Sequence, residues 1–216
     1  IPCCTTRSVE PAMTHSTASP EQPSLTALTQ APDYGAQLMA ILPEIGDACS
    51  VEAAMQLFRE AVTSLGADAG VFTCQLQDDA TRATYRSLLA CDPRWASEYA
   101  QQGWCEHDPW LRHAAHNTEP VRSSELALES AHEHAFVNAA VAFGFASTLI
   151  VPAPTAVGLS RVGVLCLGSH VAGFFDEDGY AKVRVLARAL AMELHRWLLI
   201  SMREDLLANS RLNTAD

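Results

Sequence analysis

Between Cys91 and Glu125 the chain concentrates side chains suited to recognising a small molecule. Trp95 and Tyr99 are four residues apart, a spacing that puts both on one face of a helix. Two large aromatic rings with polar tips on one face can wall an apolar cavity and still present hydrogen-bonding groups inside it. Asp108 follows nine residues after Tyr99. Its carboxylate is an acceptor suited to a ligand amide, and an unmatched buried donor costs about 1–3 kcal/mol, so one such acceptor can decide specificity. Asp108-Pro109 also reads as an N-cap followed by Pro at N1, the favoured start of a helix, and the two roles are compatible. Other chemistries are poorly served. His113 and His116 can share a helix face, and His132 and His134 are close in sequence, but no third ligand lies at a recognisable spacing, so no metal site is expected. Cys105-Glu106-His107 sets a thiol beside a base, yet adjacent residues seldom face each other. Cys166 reads as a small buried side chain. The pattern is that of a binding module rather than an enzyme, and no cofactor is expected beyond the ligand.

Hydrophobic periodicity supplies the elements that must position these groups. Residues 35–42 read as a short helix stopped by Pro43. Ser50 caps a helix whose stripe is Ala54, Leu57, Phe58, Ala61 and Leu65, ended by Gly66. Residues 69–77 and 83–90 read as two strands of a hairpin, with Phe72, Cys74 and Leu76 on one face. Helices follow at 94–102, 109–116 and 126–142, closed by Gly103 and Gly144 at the first and last. Two more strands cover 146–152 and 160–168, with Val162, Val164 and Cys166 on one face. A long helix spans roughly 176–207, with Val183, Leu186, Leu190, Leu194 and Trp197 buried and Arg184, Arg188 and His195 turned away. Hairpins separated by helices do not suit a parallel sheet. They predict an α+β fold, an α-β-α sandwich with a central antiparallel sheet of about five strands and helices on both faces.

Composition sets the outer bounds. The 216 residues carry 14 basic and 25 acidic side chains, a net charge of −11, which argues against a phosphate-binding surface over the whole chain and against a polybasic membrane patch. The 7 cysteines include no CxxC, consistent with reduced thiols in the cytoplasm. There is no basic segment leading into an apolar stretch and no run long enough to span a membrane. Residues 1–33, rich in Ser, Thr, Pro and Gln, read as a flexible N-terminal extension.

The spacing Trp95-x3-Tyr99-x8-Asp108-Pro109, with FGFASTLIVP at 143–152 and VGVLCL at 162–167, resembles the autoinducer-binding domain of LuxR-type quorum-sensing regulators over roughly residues 36–200. The resemblance implies a domain over 34–207, a tail or linker over 208–216, and an N-acyl homoserine lactone or related signal held between the sheet and one helical layer. It implies that Asp108 accepts the ligand amide N–H, that Tyr99 donates to an acyl or amide oxygen, and that Trp95 donates to the lactone carbonyl. Cys166 stands where the family often has Ser or Thr near the acyl carbonyl. Phe72, Cys74, Leu88 and Val164 are candidates for the acyl-chain wall, depending on strand register. Three positions depart from the pattern: Ser123 replaces a Trp that packs over the lactone ring, Thr148 replaces a Gly, and Trp110 replaces a smaller residue. The resemblance further implies a homodimer, or a heterodimer with a related regulator, with the apolar end of the last helix (Trp197, Leu198, Ile200, Met202) as a candidate face. DNA contact would come only through a helix-turn-helix unit, which has no counterpart up to Asp216. Rival readings are a modulator without a DNA-binding unit that pairs with a full-length regulator, and a GAF-like or PAS-like sensor of another ligand.

Overall fold

The computed structural model describes residues 23–77, 83–153 and 161–212, with side chains at the ends of some elements excepted. Five strands form one antiparallel sheet: β1 (Ala69–Gln77), β2 (Ala83–Ala90), β3 (Val121–Arg122), β4 (Ser147–Ala153) and β5 (Arg161–Ser169), in the order β2-β1-β5-β4-β3. The hairpin expected from the two early strands is present, with Phe72 opposite Leu88 and Thr73 opposite Ser87; its connection, 78–82, lies outside the described residues. On β5, Val71 of β1 faces Cys166 and Thr73 faces Val164.

Both faces of the sheet are apolar, and each is covered by helices, as the sandwich prediction requires. One layer holds α1 (Leu25–Gln30), α2 (Ala36–Gly46), α3 (Val51–Ser64) and α7 (Tyr180–Leu212). They bury Phe72, Cys74, Leu88, Leu149, Leu165 and Leu167. The other layer holds α4 (Arg94–Gln101), α5 (Pro109–His116) and α6 (Ala131–Val141), packed on Val71, Ile150, Val164 and Cys166. Side chains on a strand alternate between faces, so the two cores divide the residues of β1 and β5 by parity.

Several expected boundaries move. Residues 24–33 are not an extension: Ser24 caps α1, Leu25 is fully buried, and Thr26 bonds through its N–H and hydroxyl to Glu177. The residues up to 22 lie outside the described ones. Pro43 does not stop α2, which continues to Gly46 because Leu38, Ile41, Leu42 and Ile45 form one buried stripe. The helix expected over 126–142 starts at Ala131, where the Ser130 hydroxyl accepts the Glu133 N–H; a short 3-10 turn at Ser123–Glu125 precedes it. The last helix runs from Tyr180 to Leu212, so the first residues assigned to a tail are helical. His195 does not face away but is 5% exposed, edge-on to Phe72. Trp197, Leu198 and Met202 are also buried within the domain, Trp197 donating to the Ala48 carbonyl at 2.8 Å, which leaves Ile200 of that group exposed. Among the described residues no helix is long and apolar enough to cross a membrane.

Candidate functional site

Between the sheet and α4–α5 lies a cavity of about 320 Å³. Its floor is one parity of the strands: Val71 and Thr73 of β1, Tyr85, Ser87 and Leu89 of β2, and Val164 and Cys166 of β5. Its roof is one face of α4, Trp95, Ala96, Tyr99 and Ala100, and its side is closed by Gly103, Cys105, Asp108 and Trp110. The four α4 residues follow the i, i+1, i+4, i+5 pattern of a single helix face. Gly103 turns the chain at φ +63°, a conformation that L side chains rarely adopt, and directs the following segment back over the cavity.

Asp108 is built into this wall by two different uses of its oxygens. Oδ1 accepts the N–H groups of Trp110 at 2.7 Å and Leu111 at 3.1 Å, which is the N-cap of α5. Oδ2 accepts the Tyr99 hydroxyl at 2.9 Å. A carboxylate oxygen has room for two donors, so Oδ2 keeps an acceptor position. Burial pushes the Asp108 carboxyl up to about 6, against the lowering effect of its three hydrogen bonds. Burial, and then the neighbouring Asp108, raise the Tyr99 phenol far above its usual range, so it is a donor at any physiological pH. Burial also holds Cys166 as a thiol. Thr73 and Ser87 share a hydrogen bond of 2.9 Å across β1 and β2, and burial with a hydrogen bond to Cys105 pushes Tyr85 up to about 12.

Trp95 is the hub of the roof. Its ring lies 5.2 Å from Phe143, 5.4 Å from Trp104 and 5.6 Å from Phe136, and it is 2% exposed. Trp110 packs edge-to-face on Phe136 at 4.8 Å and against Phe145 at 5.2 Å. Such pairs add about 0.5–1.5 kcal/mol each beyond area burial and hold the rings in fixed orientations.

Of the residues named from sequence, Trp95, Tyr99, Asp108, Trp110, Val164 and Cys166 are brought together around the cavity. Phe72, Cys74 and Leu88 are not, and this corrects the expected acyl-chain wall: their parity turns them into the opposite core, under α3 and α7. Ser123 and Thr148 also lie off the cavity lining. Ser123 accepts the Thr148 N–H at 3.0 Å, and the Thr148 hydroxyl donates to the Phe145 carbonyl at 3.3 Å, so together they fix β4 beside the turn before α6. Sequence reasoning missed Val71, Thr73, Tyr85, Ser87, Leu89 and Cys105. The available signal was the hydroxyl-bearing parity of the hairpin, Thr73 with Ser87 and Tyr85, which a face packed wholly on helices would not carry. Among the described residues no group of three or more His, Cys, Asp or Glu side chains could hold a metal ion.

A three-layer sandwich with an apolar cavity between sheet and helices, walled by aromatic rings and one buried carboxylate, defines a small-molecule-binding domain. A family model for the autoinducer-binding domain matches residues 50–198, and the chain belongs to that family, the ligand-sensing domain of LuxR-type regulators. It is a ligand-binding regulatory family, not an enzymatic one. No curated protein sequence matches the chain. Among solved structures, the fold is similar to the N-acylhomoserine lactone dependent LuxR family transcription factor CepR2 from Burkholderia cenocepacia. That likeness has a TM-score of 0.64 and 21% identity, and covers 77% of this chain and 98% of that one. SdiA of Escherichia coli is similar at a TM-score of 0.60 and 14% identity, over 79% of this chain and 68% of its own. The VqsR ligand-binding domain from Pseudomonas aeruginosa is similar at 0.54 and 14%, over 76% and 95%.

Proposed function

We propose that this domain senses an N-acyl homoserine lactone, or a closely related acyl signal, held in the cavity under α4. The observation that carries the reading is the buried Asp108 carboxylate, its Oδ2 accepting the Tyr99 hydroxyl, in the wall of a largely apolar cavity. A secondary amide on a fatty acyl chain matches that arrangement: the N–H meets the carboxylate and the chain meets Val71, Leu89 and Val164. Trp95 is assigned the lactone carbonyl. CepR2 is named as dependent on an N-acylhomoserine lactone, which favours the same ligand class here. SdiA has also been solved with octanoyl-rac-glycerol, so an acyl ester belongs on the test panel. The domain binds its signal without turning it over and acts in the cytoplasm as a dimer, pairing with itself or with a related regulator.

The test is thermal stabilisation of the chain by acyl homoserine lactones of increasing chain length and by octanoyl-rac-glycerol. A bound ligand at a hundred times its Kd adds about 2.7 kcal/mol to stability. At least one lactone is expected to raise Tm by several degrees, and Asp108→Asn is expected to abolish the rise, because Asn still caps α5 but loses the charged acceptor. An unchanged Tm across the lactones would overturn the reading.

A further inference from the structure

We infer that the cavity opens along the β2 edge and lets the end of a long acyl tail pass out between α4 and β2, so the domain takes long-chain acyl signals and sets no upper limit on chain length; this rests on the acyl-signal reading above. Burial of the lining residues is graded across the sheet. On β5, Val164 and Cys166 are each 2% exposed, and Trp95, Asp108 and Trp110 are buried with them. On β1, Val71 is buried and Thr73 half-buried; on β2, Tyr85 and Leu89 are half-buried and Ser87 is exposed. β2 is the edge strand, and among the described residues no strand pairs with its outer side. The roof changes in the same way. Trp95 and Tyr99 form one row of α4, buried and half-buried; Ala96 and Ala100 form the next row, and both are exposed although they line the cavity. Gly103 is exposed as well, and a Cβ added there would meet nothing within 4 Å.

This gradient gives the ligand a direction. Asp108 caps α5, which packs on β4 and β5, so the amide sits at the closed side and the chain points toward β2. From β5 across β1 to β2 is two strand spacings, about 10 Å. An extended chain advances about 1.2 Å per bond, so roughly eight bonds cross that distance. Thr73 and Ser87 satisfy each other at 2.9 Å, and an alkyl chain crossing them strands neither hydroxyl. Carbons beyond the crossing meet Ala96, Ala100 and Ser87, where α4 sets only two methyl groups against the tail. The site therefore grips the head and the first carbons and does not measure the rest.

The test is binding, by tryptophan fluorescence, of homoserine lactones carrying hexanoyl, octanoyl, dodecanoyl and tetradecanoyl chains, and of the matching 1-acyl-rac-glycerols. Affinity is expected to rise about four-fold per methylene up to octanoyl and then to level off within about three-fold through tetradecanoyl. Ala96→Leu combined with Ala100→Leu narrows the mouth at exposed positions where Leu is nearly as good a helix former as Ala. Relative to wild type, its preference for hexanoyl over dodecanoyl chains is expected to rise at least about ten-fold. The wild-type series is read without relying on the variant's folding. A tetradecanoyl ligand bound about ten-fold or more weakly than the octanoyl one, or a folded variant with the wild-type chain-length profile, overturns the proposal. If lactones bind but weaken in that way, only this proposal fails. If the glycerol esters bind and level off but no lactone binds, the lactone reading fails and this one stands. If neither series binds, both fail.

Discussion

The deepest consequence of the site is that signal affinity should depend on pH through Asp108. In the free domain, burial raises this carboxyl from 3.8 to about 6. On the proposed acyl-amide reading the ligand N–H is met best by the ionised form, so binding favours loss of the proton where it is present. With a value near 6, about 90% of the groups are ionised at pH 7 and about 10% at pH 5, and apparent affinity falls roughly ten-fold across that interval. The assay is tryptophan fluorescence or calorimetric titration with N-octanoyl homoserine lactone from pH 5 to 7, in buffers of different ionisation enthalpy so that proton release is counted directly. Asp108→Asn should bind weakly with a flat profile. Stability of the free domain runs with the opposite logic. The folded value lies above the unfolded one, so the stability linked to Asp108 is fully present below about 4 and is lost as pH rises through about 6. That interval corresponds to at most about 3 kcal/mol, and Asn at this position should therefore stabilise the free domain at pH 7 while disabling it as a receptor. A wild-type affinity that does not change between pH 5 and 7, or an Asn variant that shows the same slope, would refute the assignment.

Three further outcomes follow from the packing. Leu25→Ala, at a fully buried position on α1, should cost about 2–5 kcal/mol in urea unfolding, which a flexible segment could not do. Leu88→Ala, on the far face of the sheet, should cost a similar amount while leaving ligand Kd within about three-fold of wild type once the protein is folded; a large loss of affinity would contradict the division of the two cores. Gly168→Ala should lower Tm, because a Cβ there would stand 2.4 Å from the Gly144 carbonyl and 2.5 Å from the Phe145 ring, and backbone cannot move aside as a flexible side chain can; expected losses are about 1–3 kcal/mol by calorimetry.

The order of elements, the hairpin and the Asp108 cap were legible because each rests on a local signal: alternation in 69–77, a polar residue before Pro109, glycines at chain reversals. The identity of the cavity floor was not. β1 carries Phe72 and Cys74 at one parity and Val71 and Thr73 at the other. Both parities are covered, so hydrophobicity alone cannot say which faces a ligand. The parity carrying Phe72 and Cys74 went to the core with α3 and α7. The end of α2 misled for a related reason. Pro43 disfavours a helix interior, but the buried stripe from Leu38 to Ile45 outweighs one lost hydrogen bond. α1 went unread because six residues without a charge carry too little periodicity to stand out; its place is set by distant partners, Glu177 and the packing on α7.

Three features of this domain would be faults in a core selected only for stability: a buried carboxylate that burial makes costly to ionise, an indole N–H with no acceptor among the described residues, and a cavity of about 320 Å³. Each alone has a structural excuse, since Asp108 caps a helix and Trp110 fills volume. Two of them meet at the start of α5, where Asp108 and Trp110 both border the cavity. Local rules are broken together where function needs them broken, and on the acyl-amide reading one ligand would answer two of these features: its N–H on the carboxylate and its chain in the cavity. If the proposed ligand binds there, occupancy would fill this part of the core and raise the stability of the folded domain in proportion to ligand concentration over Kd.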